Sequence, residues 1–270
     1  MSISVKILKK SSNPLDSDSI ITSFQLRYPR FVHAELMTHR VFSRNASSSR
    51  AVPVSKIINE VLNDPAMPVS WGKNQKGMQA SEDLNQEDAR RVQNMWLKAA
   101  QDAVFHARQM EASGAHKQII NRILEPFSHI SVIVTATEWD NFYALRCHEA
   151  ADPTMKALAD AMFAEYAHTK ATPRDHHLPY TDDALLVGVS SVGLHNLKVQ
   201  DAAMCARVSY LTHDGQTPSV ESNVALGKML LDQQHMSPFE HQASTPDPEN
   251  MDTGLWGNFT GWNQFRKEIE

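Results

Sequence analysis

The chain has 270 residues, 41% of them hydrophobic, and a formal net charge of −5 from 26 basic and 31 acidic residues. That composition supports a packed core and excludes wholesale disorder, and the acid excess argues against a nucleic-acid or membrane-surface binder. Two cysteines, Cys147 and Cys205, make no disulfide framework; with no apolar leader and no run of 18 apolar residues, a cytoplasmic protein without a membrane span is expected.

Near the N-terminus, "ISVKILKK" alternates apolar and polar residues and predicts a strand, and "SIITSFQLRY" predicts a second. Pro29 opens a short helix through Phe31, Val32, Leu36 and Met37. Thr38–Arg50 reads as a loop of turn formers. A helix is expected from Val54 to Leu62. Residues 63–87 form a long polar loop, either functional or a disordered insertion. Val92, Met95, Trp96, Ala99, Ala103 and Met110 mark one stripe of a helix over Asp88–Ala112, with Gly114 as its stop. "HKQIINRIL" predicts a short helix ended by Pro126. "HISVIVTAT" is a strand or the start of a buried helix, and "EWDNFYALRCHEA" reads as helical. Asp152 caps and Pro153 starts the next helix, through Met155, Leu158, Ala159, Met162 and Phe163. "HTKATPRDHHLPY" reads as a solvated loop; its histidines lack a third ligand, so no metal is expected. "LKVQDAAMCARVSYL" is helical. Thr217-Pro218 caps a last helix with Val220, Val224 and Leu231 on one face. No repeat or linker divides the chain, so one α+β domain over 1–270 is expected.

Three segments carry chemistry. "THRVFSRNASSSR", Thr38–Arg50, sets three arginines among serines. Arginine forks, hydroxyls and turn N–H groups suit anionic oxygens such as phosphate, though a solvated surface loop has the same composition. Arg122 and Arg146 lie inside apolar segments, where a guanidinium needs a partner: a substrate, or a structural salt bridge. "HMSPFEH", His235–His241, could hold an acid/base pair, a metal, or nothing.

Together these segments resemble the flavin-dependent thymidylate synthases. That family's signature, R-H-R-x-x-S-x-N-x-x-S-x-R, stands here as Thr38, His39, Arg40, Ser43, Asn45, Ser48 and Arg50, matching at all but the first position. "NRILEP" with Arg122 looks like the family's A-R-x-V-L-P, and "NFYALR" with Asn141 and Arg146 looks like its N-F-L-x-L-R. The family's A-R-V-S and H-x-T-P-F-E-H segments precede the signature; here "CARVSY" and "HMSPFEH" follow everything else. The order is rotated, so the chain resembles a circular permutant, which surface termini allow. Ala46 replaces a position acidic in many members, and Ala151-Asp152 replaces A-Q. The tail 242–270 contains an echo of the helix into the signature, with Arg266 where the first arginine would fall.

The resemblance implies a mostly antiparallel sheet packed with helices, and C5 methylation of dUMP using FAD, NADPH and 5,10-methylenetetrahydrofolate. It implies Arg146 and His235 as catalytic residues and Ser48, Ser49, Arg50, Arg122 and Arg146 around a pyrimidine deoxynucleotide monophosphate. His39, Arg40, Asn45, Asn141, Ser237 and Arg266 fall to the cofactor, folate is a further partner, and a homotetramer is expected. Hydroxymethylation of dUMP or dCMP at C5 and a non-catalytic nucleotide-binding homologue are the alternatives. A thiolate nucleophile is not needed, although Arg146 beside Cys147 could lower that thiol's pKa; the other reading of Cys147 is a buried small hydrophobe.

Overall fold

The computed structural model describes residues 3–211, 215–249, 251 and 254–270. β1 (Ser4–Asn13) and β2 (Asp16–Pro29) form an antiparallel hairpin, turning at Pro14 and Leu15. A 3-10 turn at Arg30–Val32 leads into α1 (His33–Leu36). β3 (Ser43–Ala46) follows, so the centre of the arginine–serine stretch is a strand and not the loop its turn formers suggested. It pairs antiparallel with β4 (His129–Ala136), the apolar segment that was open between strand and helix. β4 also pairs antiparallel with β2, giving the order β3-β4-β2-β1-β5 with β5 (Thr172–Pro173) parallel to β1. The result is the mixed α+β architecture with an antiparallel sheet that the sequence predicted.

Side chains alternate across a strand, and this sheet has two different faces. Phe24, Leu26 and Tyr28 of β2 and Val132 and Val134 of β4 point into the main core. There they meet Phe142 of α5 (Asp140–Arg146) and Met155, Leu158 and Met162 of α6 (Pro153–His168). Asp152 caps α6 as expected, accepting from the Thr154 and Met155 N–H groups. The opposite face carries Ser23, Gln25, Thr135 and Ser131, and α7 (Ser191–Arg207) packs over it with Cys205 against Ile133.

A second layer holds α2 (Val54–Asn63), α3 (Gln86–Ala112) and α4 (Lys117–Leu124) around Ile57, Ile58, Val61, Ala100, Val104, Ala107 and Leu124. The buried stripe of α3 sits one position round from the predicted one: Met95 and Ala99 are exposed, because Ala100, Val104 and Ala107 face α2 and α4. Trp96 instead closes on Phe31, Trp71 and Phe127. Within 63–87, Gly72 pairs with Asp83 in an isolated antiparallel bridge.

The histidine-bearing segment expected to be solvated forms β6 (His176–His177), with His177 fully buried. It pairs with β7 (Ala243–Ser244), and β7 with β8 (Asn263–Gln264). α8 (Val220–Asp232) is capped by Ser219, whose hydroxyl accepts from Ser222 N–H, two residues after the cap read from Thr217. Its buried face is Asn223 and Gly227, and Val220 is exposed. A Cβ on Gly227 would stand 2.5 Å from the Val199 carbonyl oxygen, so only glycine lets α7 and α8 approach this closely.

The tail ends in α9 (Phe265–Ile269). It is part of the core: Phe259 and Trp262 bury against Ile21 and Ala243, and Phe265 against Phe239. Trp262 also donates its indole N–H to the Ser19 carbonyl at 3.2 Å. Trp262→Ala should therefore cost about 3–5 kcal/mol, read as a lowered midpoint of denaturant unfolding with unchanged slope.

Candidate active site

The two turns that flank β3 deliver the signature side chains. Before it, Arg44 donates to the Met37 and His39 carbonyls at 2.8 and 3.1 Å and closes the turn. This fixes His39, which is buried, stacked on Phe42 and edge-on to Phe142. Arg146, at the end of α5, donates from Nε to His39 Nε2 at 2.9 Å, so that nitrogen is unprotonated and the ring proton sits on Nδ1. Burial, then Arg146 and Arg44, hold the His39 pKa down, in agreement. The Arg146 fork also binds Glu35 Oε2 at 2.9 Å, the Glu35 carbonyl at 3.3 Å and Thr38 Oγ1 at 3.0 Å. Burial, then Asp152, raise the Glu35 pKa, and Arg146 only partly offsets them.

This cluster explains Thr38. An arginine at that position would set a second guanidinium beside Arg146. Threonine accepts from Arg146 instead, and its hydroxyl also donates to the Glu35 carbonyl at 2.7 Å. Glu35 gave no separate signal in the sequence; it lies one turn ahead of Thr38 and is visible only once α1 is seen to end there.

His39 and Asn141 line one cleft of about 430 Å³ with Val41, Trp139 and Tyr166. Its walls are aromatic, and the buried Trp139 indole N–H has no partner among the described residues. Glu138 and Asp140 also line it. They suit it to a neutral ring and oppose a phosphate.

On the opposite face of β3, Asn45 meets Ser237. Oriented to satisfy both groups, the Asn45 amide nitrogen faces the Ser237 carbonyl at 3.0 Å, the Arg44 carbonyl at 3.1 Å and the Ser237 hydroxyl at 3.3 Å. His241 Nε2 stands 3.4 Å from the same amide, although 196 positions separate them in the chain. His241 Nδ1 bonds Thr135 Oγ1 at 2.9 Å, and Thr135 bonds Ser23 of β2 at 2.6 Å. "SPFEH" thus lies against the strand that begins the signature half. His235 is exposed on the turn before it.

After β3 the chain turns through Ser48 and Ser49. Ser49 Oγ donates to Glu125 at 2.6 Å, and Glu125 also meets Arg122 at 3.3 Å and Arg30 at 3.8 Å. Arg40 and Arg50 are exposed and have no partner among the described residues. Ser47 and Ser49 border a second cleft, of about 440 Å³, lined also by Arg30, Lys56 and Arg207. Arg30 and Glu125 were not foreseen; each sits where only the meeting of β4, α4 and the signature turn gives it a role.

Arg266 does not reach the signature. It pairs with Glu240 and Glu270. The tail touches the signature through other residues: Asn258 donates to the Val41 carbonyl at 2.8 Å, and Gln264 donates to Ser43 Oγ at 3.3 Å. Cys147 is no thiolate either: burial, then Asp160, push its thiol up to about 11, and the neighbouring Arg146 does not activate it.

The α+β domain thus ranges arginine, histidine, serine and amide side chains around one short strand. The family described as thymidylate synthase complementing protein matches residues 18–171, and the chain belongs to this flavin-dependent thymidylate synthase family. Among solved structures it is similar to the UMP/dUMP methylase PolB from Streptomyces cacaoi bound with 5-Br dUMP, at 17% identity over 62% of this chain and 90% of that one, with a TM-score of 0.51. The same methylase bound with 5-Br UMP gives 18% identity over 62% and 89%, also at 0.51. At that identity the likeness is one of fold. No curated protein matches the chain. No helix among the described residues is long and apolar enough to cross a membrane.

The site's buried imidazoles set a pH limit. Burial, then the nearby Lys9 and Arg174 charges, hold His177 well below its ordinary value, and burial holds His241 at about 3. Both are neutral in the fold, while unfolded imidazole titrates near 6.5. Below that pH the unfolded chain takes up protons that the fold refuses, so the stability is fully present above about 6.5 and is lost as pH falls. The slope is about 1.4 kcal/mol per pH unit for each such imidazole. Urea midpoints from pH 7.5 to 5 should fall accordingly, and His177→Asn should make the decline shallower.

Proposed function

We propose that this chain catalyses C5 methylation of dUMP to dTMP with FAD, NADPH and 5,10-methylenetetrahydrofolate. The observation that carries the reading is the meeting of Asn45, Ser237 and His241 on one side of β3 while His39, Arg146 and Asn141 gather on the other. These are the positions that match the family's motifs, drawn from distant parts of the chain. The residues suit FAD: the aromatic His39–Asn141 cleft takes a flat ring against Trp139 and Tyr166, and the exposed Arg40 donates to phosphate. When bound, FAD supplies the hydride that completes the methyl group, taken in turn from NADPH.

The protein's own part is electrostatic. Uracil attacks from C5 when negative charge on its O2–N3–O4 edge is stabilised, and a guanidinium held in place does this without reorganising. Glu35, Thr38 and His39 hold Arg146 in that way. Ser48, Arg50 and Arg122 hold the phosphate, Ser49 supports them through Glu125, and the exposed His235 serves the folate side.

In one chain the Arg146 cluster and the phosphate residues lie at opposite ends of β3, roughly 13 Å of strand apart. A second copy would bring complementary halves together, and Met95 and Phe105 leave apolar surface on α3 for packing. A homotetramer follows from this reading, and light scattering at micromolar protein should give its mass; a monomer carrying FAD would refute it. We also read the chain as a permuted member of the family, supported by the contact of His241 with Thr135 and, through it, β2.

The decisive experiment is to purify the protein, look for the yellow flavin band, and weigh the product from dUMP and from dCMP. A product heavier than dTMP by one oxygen would mean hydroxymethylation, and a colourless protein without turnover a binding homologue. Arg146→Ala should lower turnover about 10²-fold or more at saturating nucleotide. Arg50→Ala should weaken nucleotide binding by about 1.5–3 kcal/mol and leave the nucleoside unaffected; equal losses for both would take the phosphate away from Arg50.

A further inference from the structure

An unbroken line of hydrogen-bonding side chains crosses the interior on the polar face of the sheet. Ser11 Oγ lies 2.8 Å from His177 Nδ1, and His177 Nε2 lies 2.8 Å from Ser23 Oγ. Ser23 Oγ is 2.6 Å from Thr135 Oγ1, which is 2.9 Å from His241 Nδ1. All five residues have 0% exposure. The line ends where His241 Nε2 meets the Asn45 amide. Apolar side chains would fill the same positions without the penalty that any broken link carries in the interior. The line therefore calls for a reason beyond packing.

Its proton order follows from counting. A neutral imidazole has one N–H and a hydroxyl one O–H, so the bonds all run one way, toward Asn45 or toward Ser11. Asn45 decides between them. The amide atom beside His241 is the one that faces the Ser237 and Arg44 carbonyls, at 3.0 and 3.1 Å, so it is the nitrogen, and these two carbonyls take its hydrogens. An amide nitrogen cannot accept, so an Nε2–H on His241 would have no partner there; Nε2 is the bare nitrogen, and the proton sits on Nδ1. Thr135 then donates to Ser23, Ser23 donates to His177 Nε2, and His177 Nδ1–H donates to Ser11. Ser11 also accepts from Arg174 Nη1 at 3.4 Å, which this order permits. In the reverse order His241 Nε2–H would face the amide N–H, and Asn45 would turn over and lose Ser237.

We propose that His177, Thr135 and His241 are positioning residues for the ligand bound at Asn45 and Ser237: the line fixes both imidazoles as Nδ1–H tautomers and thereby holds the Asn45 amide in the orientation that clasps Ser237. The identity of that ligand as FAD rests on the function proposed above; the tautomer order does not.

The test is long-range ¹H–¹⁵N NMR on protein labelled with ¹⁵N in its imidazoles, together with an FAD titration. His177 and His241 should both give the Nδ1–H pattern. Thr135→Val keeps the side-chain shape and cuts the line, so His241 should show mixed tautomers and the FAD dissociation constant should rise roughly tenfold. Thr135→Ser should restore both. Ser23→Ala cuts the line one link away and serves if Thr135→Val does not fold. An Nε2–H pattern at His241 in the parent protein, or a cut that changes neither the tautomer nor the affinity, overturns the proposal. A parent protein with the Nδ1–H pattern that binds no FAD refutes the flavin reading, and the line is then decided by the tautomers in the cut variants alone.

Discussion

The pairing of Ser43–Ala46 with β4 is the constraint on which the site depends. A strand presents alternate residues to opposite faces and cannot slip by one without exchanging them. With Asn45 opposite Ile133, its amide faces the polar side, toward Ser237 and His241. The same register ends the strand at fixed points, so the preceding turn must set His39 beside Arg146 and the following turn must set Ser49 beside Glu125. A free loop of the same composition could hold none of these side chains still. Ordering it only on binding would cost roughly 1–2 kcal/mol of backbone entropy per residue.

The Arg146 cluster shows how a departure from the family signature is absorbed. Removing an arginine at position 38 removes a charge that would have crowded Arg146, and Thr38 becomes one more acceptor for the guanidinium that remains. Glu35 keeps that guanidinium paired although burial works against the carboxylate. The group proposed to stabilise charge on the pyrimidine is thus held by three neighbours, and pre-organisation of this kind is where electrostatic catalysis gains most.

The tail has a structural role that its composition concealed. Pro246, Asp247 and Pro248 stop it from extending the main sheet, so it builds a small sheet with β6 instead. That detour places Trp262 against Ile21 and brings Asn258 and Gln264 to Ser43. In the proposed permuted order, this is how a chain whose motifs have been rotated keeps the first strand of its signature half supported from the other side.

The sequence by itself determined the elements and the family. Period-2 alternation located β1 and β2, the Asp152-Pro153 pair located α6, and the Thr38–Arg50 motif with "NFYALR" pointed to the chemistry, because local propensity and residue type act over a few neighbouring residues. Tertiary structure decided what depends on distant neighbours. The strand inside Thr38–Arg50 exists because β4 offers it a hydrogen-bonding edge, which overrides the turn preference of serine and asparagine. The face of α3 was set by α2 and α4. Arg266 carries the right residue type but pairs with Glu240, because a guanidinium goes to the nearest carboxylate, and that choice is made by packing. His177 looked like a residue of a solvated loop; pairing with β7 buried it, and a buried imidazole keeps its proton count and its partners only through side chains that the fold alone brings within reach.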